Sequence, residues 1–470
     1  MNNGVTVIRS RDDVVREINE SPRHAGLTRM IGIIALGGFF IDAYDFTSLS
    51  AGAVQLKQEF GLSDPVFGAV TAVMALGAII GALSGGYFVD RFGRLRMFMV
   101  NILLFVVATV GAALAPNFGL LIVFRFLIGV GVGLDVPVAM AFLAEFMAMK
   151  KKGRWVESAA VMWSAATITG LLVALILNSA GVGQELWRWA VGLGAVPAVV
   201  ILILRFRYMA ESPMWSASRG DLTEAARILT RVTGRPFAAD PDAEAAVRQA
   251  LRPKSFGTVF RELFSPRFRS RSVLIAIMSA TQSIQFSSVG FYMPLIVFSF
   301  IAKNVQTSLL ASIGSNACGL VAALLASLLV NRLGLRTLSI IGFGGVAVIL
   351  ILLGVFGPSL PVFIGLVLLA LFVGFHTFGP GSTAQSYSAL SYPTEIRGAG
   401  AGLSQASNRT GSLLALFLVP VLLGAFGLYT TFLLLLVAPV IGLIALLAIK
   451  WEPIGKNLEG DAEGVSLLAH

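Results

Sequence analysis

The chain has 470 residues, of which 56% are apolar and only 13% are charged, and its mean hydropathy is +0.84. A soluble domain has about 45–50% apolar and about 25% charged residues, so a soluble protein with one core is excluded, as is a disordered chain. The single cysteine, Cys318, excludes a scaffold held by disulfides. A polytopic membrane protein remains, because twelve spans of about 20 residues would occupy about 240 residues.

Twelve apolar runs follow one another along the chain, separated by short polar breaks and one long polar stretch. The runs lie near 29–55, 66–88, 96–115, 118–147, 154–178, 187–207, 271–299, 306–330, 337–356, 361–388, 399–424 and 428–450. We number them spans 1 to 12 and predict an all-α membrane protein with two pseudo-symmetric six-helix halves. The predicted units are an N-terminus (1–28), an N-terminal half (29–207), a linker (208–270), a C-terminal half (271–450) and a tail (451–470).

The basic residues are distributed unequally between the two sides of the predicted membrane. Thirty of the 35 Lys and Arg residues fall on the side that holds the N-terminus, whereas Lys57, Arg188 and Lys303 fall on the other. Basic loops mark the cytoplasmic side of a membrane protein, so we expect an inner (plasma) membrane protein with both termini in the cytoplasm. The net charge of +10 then reports topology, and no nucleic-acid partner is expected.

A repeat relates the two halves. The sequence Asp90-Arg91-Phe92-Gly93-Arg94 follows span 2, and Asn331-Arg332-Leu333-Gly334-Leu335 follows span 8, at an offset of 241 residues. Two such halves are expected to rock about a site near the bilayer midplane. The linker contains an amphipathic helical pattern from Leu222 to Leu229, which we interpret as a packing element.

Charged residues within the spans are the first candidates for function, because burying charge in a membrane is costly. Span 1 carries Asp42 and Asp45 on one helix face, and span 4 carries Arg125, Asp135 and Glu145 at intervals of ten residues. The aspartates could form a proton relay, since a carboxylate in a low-dielectric cavity can load and release a proton. The alternative for the span-1 pair is a structural ion pair or a helix cap.

The two other charges in span 4 have simpler interpretations. Arg125 could pair with a carboxylate or could meet an anionic substrate. Glu145 precedes Lys150, Lys151, Lys152 and Arg154, so we expect it to join a network of charges at the membrane interface.

Polar side chains in spans 7 and 10 are candidates for a substrate cavity. They are Gln282, Gln285, Ser288, Tyr292, His376 and Gln385. His376 could join a proton relay, because histidine titrates near neutral pH, or could be a packed, hydrogen-bonded histidine.

Other kinds of site are absent from the sequence. There is no phosphate-binding P-loop, no pair of closely spaced cysteines and no zinc-protease motif, so no metal, cofactor or enzymatic activity is expected. The glycines at 129, 131 and 133 in span 4 lack a βαβ context, and we interpret them as positions of close helix packing.

The loop after span 2 resembles the signature loop of the major facilitator superfamily. Residues 86–96 read GYFVDRFGRLR, and the resemblance to this superfamily covers nearly the whole chain. It implies gating roles for Asp90, Arg91 and Arg94, whose charges would latch helix ends. The charges at the ends of spans 4 and 10 are gating candidates of the same kind: Glu145, Arg154, Glu395 and Arg397.

Further motifs narrow the resemblance. Residues 211–215 (ESPMW) and 452–459 (EPIGKNLE) resemble segments of proton-coupled sugar porters. Residues 38–46 (GFFIDAYDF) and 378–383 (FGPGST) resemble spans 1 and 10 of phosphate:proton symporters, and Asp135 fits span 4 of that family. The resemblance implies proton transfer and substrate binding by Asp42, Asp45 and Asp135.

The chain departs from both patterns in span 7. Ser288 stands where the phosphate family has an aspartate and where the sugar porters have an asparagine, and Ser283 replaces a sugar-porter glutamine. We therefore predict a monomeric, proton-coupled symporter of a small polar metabolite, and favour an organic acid because of Arg125. The alternatives are a sugar or phosphate symporter, a proton-coupled exporter, and a transporter-like receptor with little flux.

Overall fold

The computed structural model describes residues 5–20, 26–146, 149–250, 256–297 and 305–456. The N-terminal half and its preceding segment contain β1 (Thr6–Ile8), α1 (Arg11–Glu20), α2 (Gly26–Ala51), α3 (Ala53–Phe60), α4 (Asp64–Phe92), α5 (Arg94–Ala113), α6 (Phe118–Phe146), α7 (Met149–Ser179), α8 (Leu186–Gly192) and α9 (Ala195–Tyr208). The linker contains α10 (Pro213–Ser218), α11 (Leu222–Thr233), β2 (Phe237–Ala239), α12 (Pro241–Ala250) and α13 (Phe256–Leu263).

The C-terminal half follows the same plan. Its helices are α14 (Arg269–Gln285), α15 (Met293–Val297), α16 (Val305–Phe356), α17 (Val362–Phe378), α18 (Pro380–Leu390), α19 (Thr394–Leu435) and α20 (Val437–Ala448). A π-helical turn, Phe286–Gly290, joins α14 to α15 within span 7. Non-helical backbone at Gly334 divides α16, and the same occurs at Gly427 in α19.

Ten helices in the described part of the chain are long and apolar enough to cross a membrane. One of them, α16, holds spans 8 and 9, and span 11 (394–426) is a further helix that those ten do not include. The described residues therefore contain the twelve predicted spans. Spans 1 to 6 are α2, α4, α5, α6, α7 and α8–α9, span 7 is α14–α15, span 10 is α17–α18, and span 12 occupies 428–448.

The repeated loops have the same backbone geometry in both halves. Gly93, between spans 2 and 3, has φ 102° and ψ 158°, and Gly334, between spans 8 and 9, has φ 80° and ψ 159°. Glycine adopts this positive φ without the steric cost that a side chain would add. The repeated sequence therefore corresponds to a repeated backbone conformation in the two halves.

Helix packing within the N-terminal half depends on the spaced glycines of span 4. Methyl groups added at Gly129 and Gly133 would overlap the backbone of span 2 at Met74 and Ala78, whereas Gly131 faces Asn101 on span 3. Small residues allow helix backbones to approach closely in a membrane, which agrees with the predicted packing role. The two halves meet mainly where span 2 packs on span 11 and where span 5 packs on α16.

The N-terminal segment and the linker, which are distant in sequence, fold together on one side of the bundle, here called the linker side. Strand β1 pairs in parallel with β2, with Val7 opposite Ala238. Helix α1 packs on α10 and α11, and the amphipathic pattern of α11 buries Leu222 and Leu229 in their shared core. The linker helix thus has the predicted packing role, and the N-terminal segment is its partner.

Candidate functional site

A cavity lies between the two halves near the middle of the spans. Spans 1, 4, 5, 7, 10 and 11 line it, which includes spans 7 and 10, where the cavity candidates were predicted. The lining residues are Phe39, Asp42, Phe46, Val136, Ala159, Ala160, Trp163, Gln282, Ser283, Phe286, Ser287, His376, Thr377, Gly381, Ser382, Gln385, Gln405, Asn408, Arg409 and Ser412. Apolar and aromatic side chains dominate the wall from the N-terminal half, and amides and hydroxyls dominate the opposite wall.

Asp42 and Arg409 form an ion pair across this cavity. The Nη2 atom of Arg409, on span 11, donates to Oδ2 of Asp42, on span 1, and both side chains are buried. The Gln405 amide lies beside them, and with its oxygen turned towards the guanidinium it accepts from Arg409 Nε at 3.1 Å and Nη2 at 3.3 Å. This pair is the charged link between the halves at the cavity.

Asp45 pairs with Arg125 instead, within the N-terminal half. Arg125 Nη1 donates to both carboxylate oxygens of Asp45, at 3.1 Å and 2.9 Å, and Nη2 contacts the sulfur of Met74 at 2.9 Å. Both members of the pair are 1% exposed. The predicted cavity residue Arg125 therefore lies outside the cavity wall, and the carboxylate-pairing interpretation describes its position.

Asp135 also points away from the cavity, towards spans 3 and 6. Its Oδ1 accepts hydrogen bonds from Asn101 Nδ2 at 2.7 Å and from Arg205 Nη1 at 3.0 Å. The Arg205 guanidinium stacks 4.0 Å from the ring of Phe98. Arg205, near the end of span 6, is one of the 30 basic residues counted on the side that holds the N-terminus, and its side chain is fully buried beside Asp135.

Three of the six polar candidates from spans 7 and 10 reach the cavity. Gln282, His376 and Gln385 line it. The His376 ring stacks between Phe286 and Phe372, and its Nδ1 atom lies 3.3 Å from Gln285 Oε1. Gln285 therefore lies behind His376 and positions it.

The remaining two candidates bond to backbone carbonyls. Ser288 Oγ donates to the carbonyl of Ile284 at 2.5 Å, and the Tyr292 hydroxyl donates to that of Leu416 at 3.1 Å. The structure therefore places both side chains in helix packing and away from the wall of the cavity.

A cluster of charged residues lies on the linker side of the cavity. Arg94 donates to Glu145 through Nε at 3.2 Å and Nη2 at 2.8 Å, and Arg397 Nη1, from the other half, lies 4.0 Å from Glu145. The expected network around Glu145 is thus formed with Arg94 of span 3, while Arg154 is exposed. The predicted gating residue Arg91 is also exposed. The side chains of Asp90 and Glu395 lie outside the described part of the structure.

Contacts between the halves lie on both sides of the cavity. On the linker side, Ser386 Oγ donates to Glu157 Oε2 at 2.6 Å, which joins span 10 to span 5. On the opposite side, Ser50 Oγ donates to the carbonyl of Phe291 at 3.0 Å, and the rings of Phe46 and Phe291 lie 4.6 Å apart. The two halves therefore contact each other on both sides of the cavity.

Sequence reasoning missed several residues of this site. Arg409 falls within predicted span 11, but its place in the cavity could not be predicted, because its partner Asp42 is 367 residues away. Glu157 falls near the start of predicted span 5 and was not among the candidates, whereas its side chain is fully buried. Among the described residues there is no group of three or more His, Cys, Asp or Glu that could hold a metal ion.

Comparison with known proteins identifies the family. The model of the sugar (and other) transporter family matches residues 30–461, which is nearly the whole chain. The chain therefore belongs to this family of the major facilitator superfamily, whose members are membrane transporters and not enzymes. The phosphate-symporter resemblance of spans 1, 4 and 10 is not reproduced by this match.

Individual relatives agree with the family. The chain is 28% identical over 435 residues to YwtG of Bacillus subtilis (strain 168), described as a metabolite transport protein, with 90% of this chain and 92% of YwtG covered. It is 27% identical to the glucose transporter GlcP of Staphylococcus epidermidis, with 90% and 94% covered. Its fold matches that of XylE, a proton:xylose symporter from E. coli, at a TM-score of 0.80 and 22% identity, with 94% of this chain and all of XylE covered.

Proposed function

We propose that the protein is a proton-coupled symporter of a small polar metabolite, which works by alternating access in the plasma (inner) membrane with both termini in the cytoplasm. One observation carries this proposal. Two buried carboxylates one turn apart on span 1, Asp42 and Asp45, each hold an arginine, and one of these pairs crosses the interface between the halves. The proton relay that the sequence suggests for these aspartates would therefore include an ion pair that joins the two halves.

The Asp42–Arg409 pair is the element through which a proton can act on the two halves. A buried ion pair that loses the charge of one partner leaves the other charge uncompensated. Protonation of Asp42 therefore weakens the attraction between span 1 and span 11 and alters the balance between closed and open arrangements. Such a bias is what couples a proton to alternating access.

Asp45 and Arg125 would act within the N-terminal half. Asp45 lies one helical turn from Asp42 on the same helix, Gly26–Ala51. Loss of charge at either aspartate changes the field at the other, so the two sites titrate as a coupled pair. We assign proton binding to this pair, and we assign Asp135 to the packing of spans 3, 4 and 6.

The test is uptake by proteoliposomes that contain the full chain, under an inwardly directed proton gradient (acidic outside). The panel is D-xylose, D-glucose, myo-inositol and D-gluconate, and at least one of these should accumulate above its outside concentration. A protonophore should reduce accumulation to equilibration, as should Asp45→Asn. Accumulation that persists with the protonophore, or that requires a gradient in the opposite direction, would overturn proton symport.

A neutral sugar is the second candidate substrate, and a specific feature favours it. The cavity wall from the C-terminal half carries the amides of Gln282, Gln385, Gln405 and Asn408, which can donate to and accept from sugar hydroxyls. Two of the relatives named above are a glucose transporter and a xylose symporter. The uptake panel separates neutral from acidic substrates.

A further inference from the structure

Arg409 is the arginine that lines the cavity among the described residues. The other described arginines buried in the bundle face elsewhere: Arg125 faces Asp45, Arg205 faces Asp135, and Arg94 and Arg397 face Glu145. The sequence favoured an acidic substrate because of Arg125. The position of Arg125 outside the cavity removes that support. The cavity nevertheless has a cation of its own, and it lies on the wall from the C-terminal half.

The surroundings of Arg409 resemble a carboxylate site that is filled by the protein itself. A guanidinium has five N–H donors in a planar fork that matches a carboxylate, and here Asp42 accepts from that fork through Oδ2 alone. Within the described residues, Asp42 Oδ1 has no hydrogen-bond partner although it is buried. Asn408 and Gln282 line the same cavity and offer further amide donors.

Each other titratable group near Asp42 has its own partner. Asp45, one turn along the same helix, is held by Arg125, and Asp135 of span 4 is held by Arg205. From span 10, His376 lines the same cavity and lies against Gln285, and from span 5, which packs against span 1, the buried Glu157 accepts from Ser386. Asp42 is therefore the carboxylate whose arginine partner can contact a substrate in the cavity.

We propose that the substrate is an organic anion whose carboxylate binds Arg409 in place of Asp42, and that it can do so only when Asp42 is protonated. In this exchange, one proton joins the Asp42 carboxylate as the Asp42–Arg409 hydrogen bond breaks, and the substrate carboxylate accepts from the freed guanidinium. No other bond changes, and one proton enters the cavity for each substrate carboxylate. This inference rests on the proposed function and names its substrate class.

This exchange would couple the binding of each substrate anion strictly to the binding of one proton. Without the proton, Asp42 occupies the guanidinium, and a second carboxylate there would add an uncompensated negative charge. With the proton but without the anion, Arg409 would be left buried and unpaired, which is also unfavourable. A neutral sugar compensates neither charge, so the pair itself selects for an anion. The rings of Phe39 and Trp163 on the facing wall would contact the apolar body of the ligand, together with the ring of Phe286, which lies 5.9 Å from that of Trp163.

The test compares two pairs of probes that differ in a carboxylate: D-gluconate with D-glucose, and benzoate with benzyl alcohol. Binding to the purified full chain is measured by thermal shift and titration at about pH 5.5 and about pH 8, where both probe acids are ionised. Only the two acids should bind, and their affinity should fall by about tenfold per pH unit once Asp42 is ionised. Equal binding of acids and neutral partners would overturn the proposal.

Asp42→Asn is the decisive variant, because asparagine resembles the protonated acid. It should bind benzoate or gluconate at about pH 8 as tightly as the unmodified protein binds it at about pH 5.5. Arg409→Gln should weaken acid binding by about tenfold to a hundredfold, and Arg409→Lys should restore part of it. An Asp42→Asn variant whose affinity still falls with pH as before would overturn the proposal.

Two further variants exclude a folding artefact. The double variant Asp42→Asn/Arg409→Gln removes both charges together, so no charge is left unpaired; at either pH it should bind both acids as weakly as Arg409→Gln binds them at about pH 5.5. Asp135→Asn removes a carboxylate from a similar aspartate–arginine pair that faces away from the cavity, and it should leave the pH dependence of acid binding unchanged. Acid binding by the double variant equal to that of the unmodified protein would contradict a role for Arg409.

The outcomes also separate this inference from the function on which it rests. Accumulation of D-xylose or D-glucose driven by a pH gradient, without binding of either acid, would support proton symport and overturn the anion site. Proton-dependent binding of an acid without accumulation under any gradient would support the anion site and overturn symport.

Discussion

Glu211 and Glu452 stand 241 residues apart and make the same contact in the two halves of the molecule. Glu211, after span 6, accepts from the backbone N–H groups of Arg94 at 2.8 Å and Leu95 at 3.2 Å, at the start of span 3. Glu452, after span 12, accepts from the backbone N–H of Arg336 at 2.9 Å, at the start of span 9. Carboxylates at helix N-termini are stabilised by unpaired N–H groups and by the helix dipole.

We expect Glu211→Gln to lower the stability of the N-terminal half. The variant keeps one acceptor oxygen but loses the charge, and hydrogen bonds to a charged group contribute about 1.5–3 kcal/mol each. The unfolding temperature of purified protein should fall by several degrees, and Glu452→Gln, the equivalent change in the other half, should act in the same direction. An unchanged unfolding temperature in both variants would show that these contacts contribute little.

The Glu59 carboxylate should make stability depend on pH. It accepts from Trp187 Nε1 at 2.6 Å and pairs with Arg188 on the side opposite the linker. Burial by itself raises the pKa of Glu59, but the hydrogen bonds from Arg188 and Trp187, together with the charge of Arg188, outweigh it and lower the pKa below its usual 4.5. Because the folded-state pKa is depressed, the stabilisation is present above about pH 4.5 and is lost as pH falls through the folded-state value.

The measurement is thermal unfolding of the unmodified protein and of Glu59→Gln between about pH 7 and about pH 3.5. The unmodified protein should be the more stable at neutral pH, and the difference should shrink as the solution is acidified below about pH 4.5. Glu185→Gln is the matched control, since Glu185 lies 3.9 Å from Arg188 but is 61% exposed. A difference that stays constant across this range would argue against an ionised Glu59 in the folded protein.

Gly38→Ala tests the contact between spans 1 and 4. A methyl group at this position would overlap Asp135 Oδ2, so either the carboxylate or the helix must move. Forcing a group into a packed site costs about 1–3 kcal/mol, and we expect lower stability and lower transport. Gly344→Ala in span 9 is the control, because a methyl group there meets no atom within 4 Å and alanine favours helix by about 1 kcal/mol. Equal behaviour of the two variants would contradict the close approach.

The variant Asp135→Asn tests whether Asp135 carries the coupled proton, as the sequence suggests, or stabilises the packing of spans 3, 4 and 6, as its position suggests. If Asp135 carried the coupled proton, the variant would lose accumulation driven by a pH gradient and keep some exchange. Since the carboxylate pairs with Arg205 and Asn101 inside one half, we expect accumulation to persist and the unfolding temperature to fall. Uptake and unfolding measured on the same preparation decide between the two.

The sequence predicted the architecture well because membrane spans leave local signals. Apolar runs and basic loops define twelve spans, and the offset between Gly93 and Gly334 reveals the repeat of the halves. The pairing of β1 with β2 was not predicted, because three-residue strands more than 220 residues apart leave no periodicity to detect.

The site was predicted in part. Asp42, Gln282, His376 and Gln385 line the cavity, because polar residues in spans are costly unless they have partners or function. Their partners could not be deduced, since Asp42 meets Arg409 only after the two halves assemble. The same reasoning explains Arg205, which is basic and near a helix end yet is buried by the acid it meets.

The Asp42–Arg409 pair also determines which energy source the protein could use. A cargo of one proton and one monocarboxylate carries no net charge, so the electrical potential across the membrane does no work on its passage. Accumulation would then follow the difference in pH alone, and a cell that keeps its voltage while its pH gradient collapses would lose the substrate. The salt bridge would thus make the carrier electroneutral.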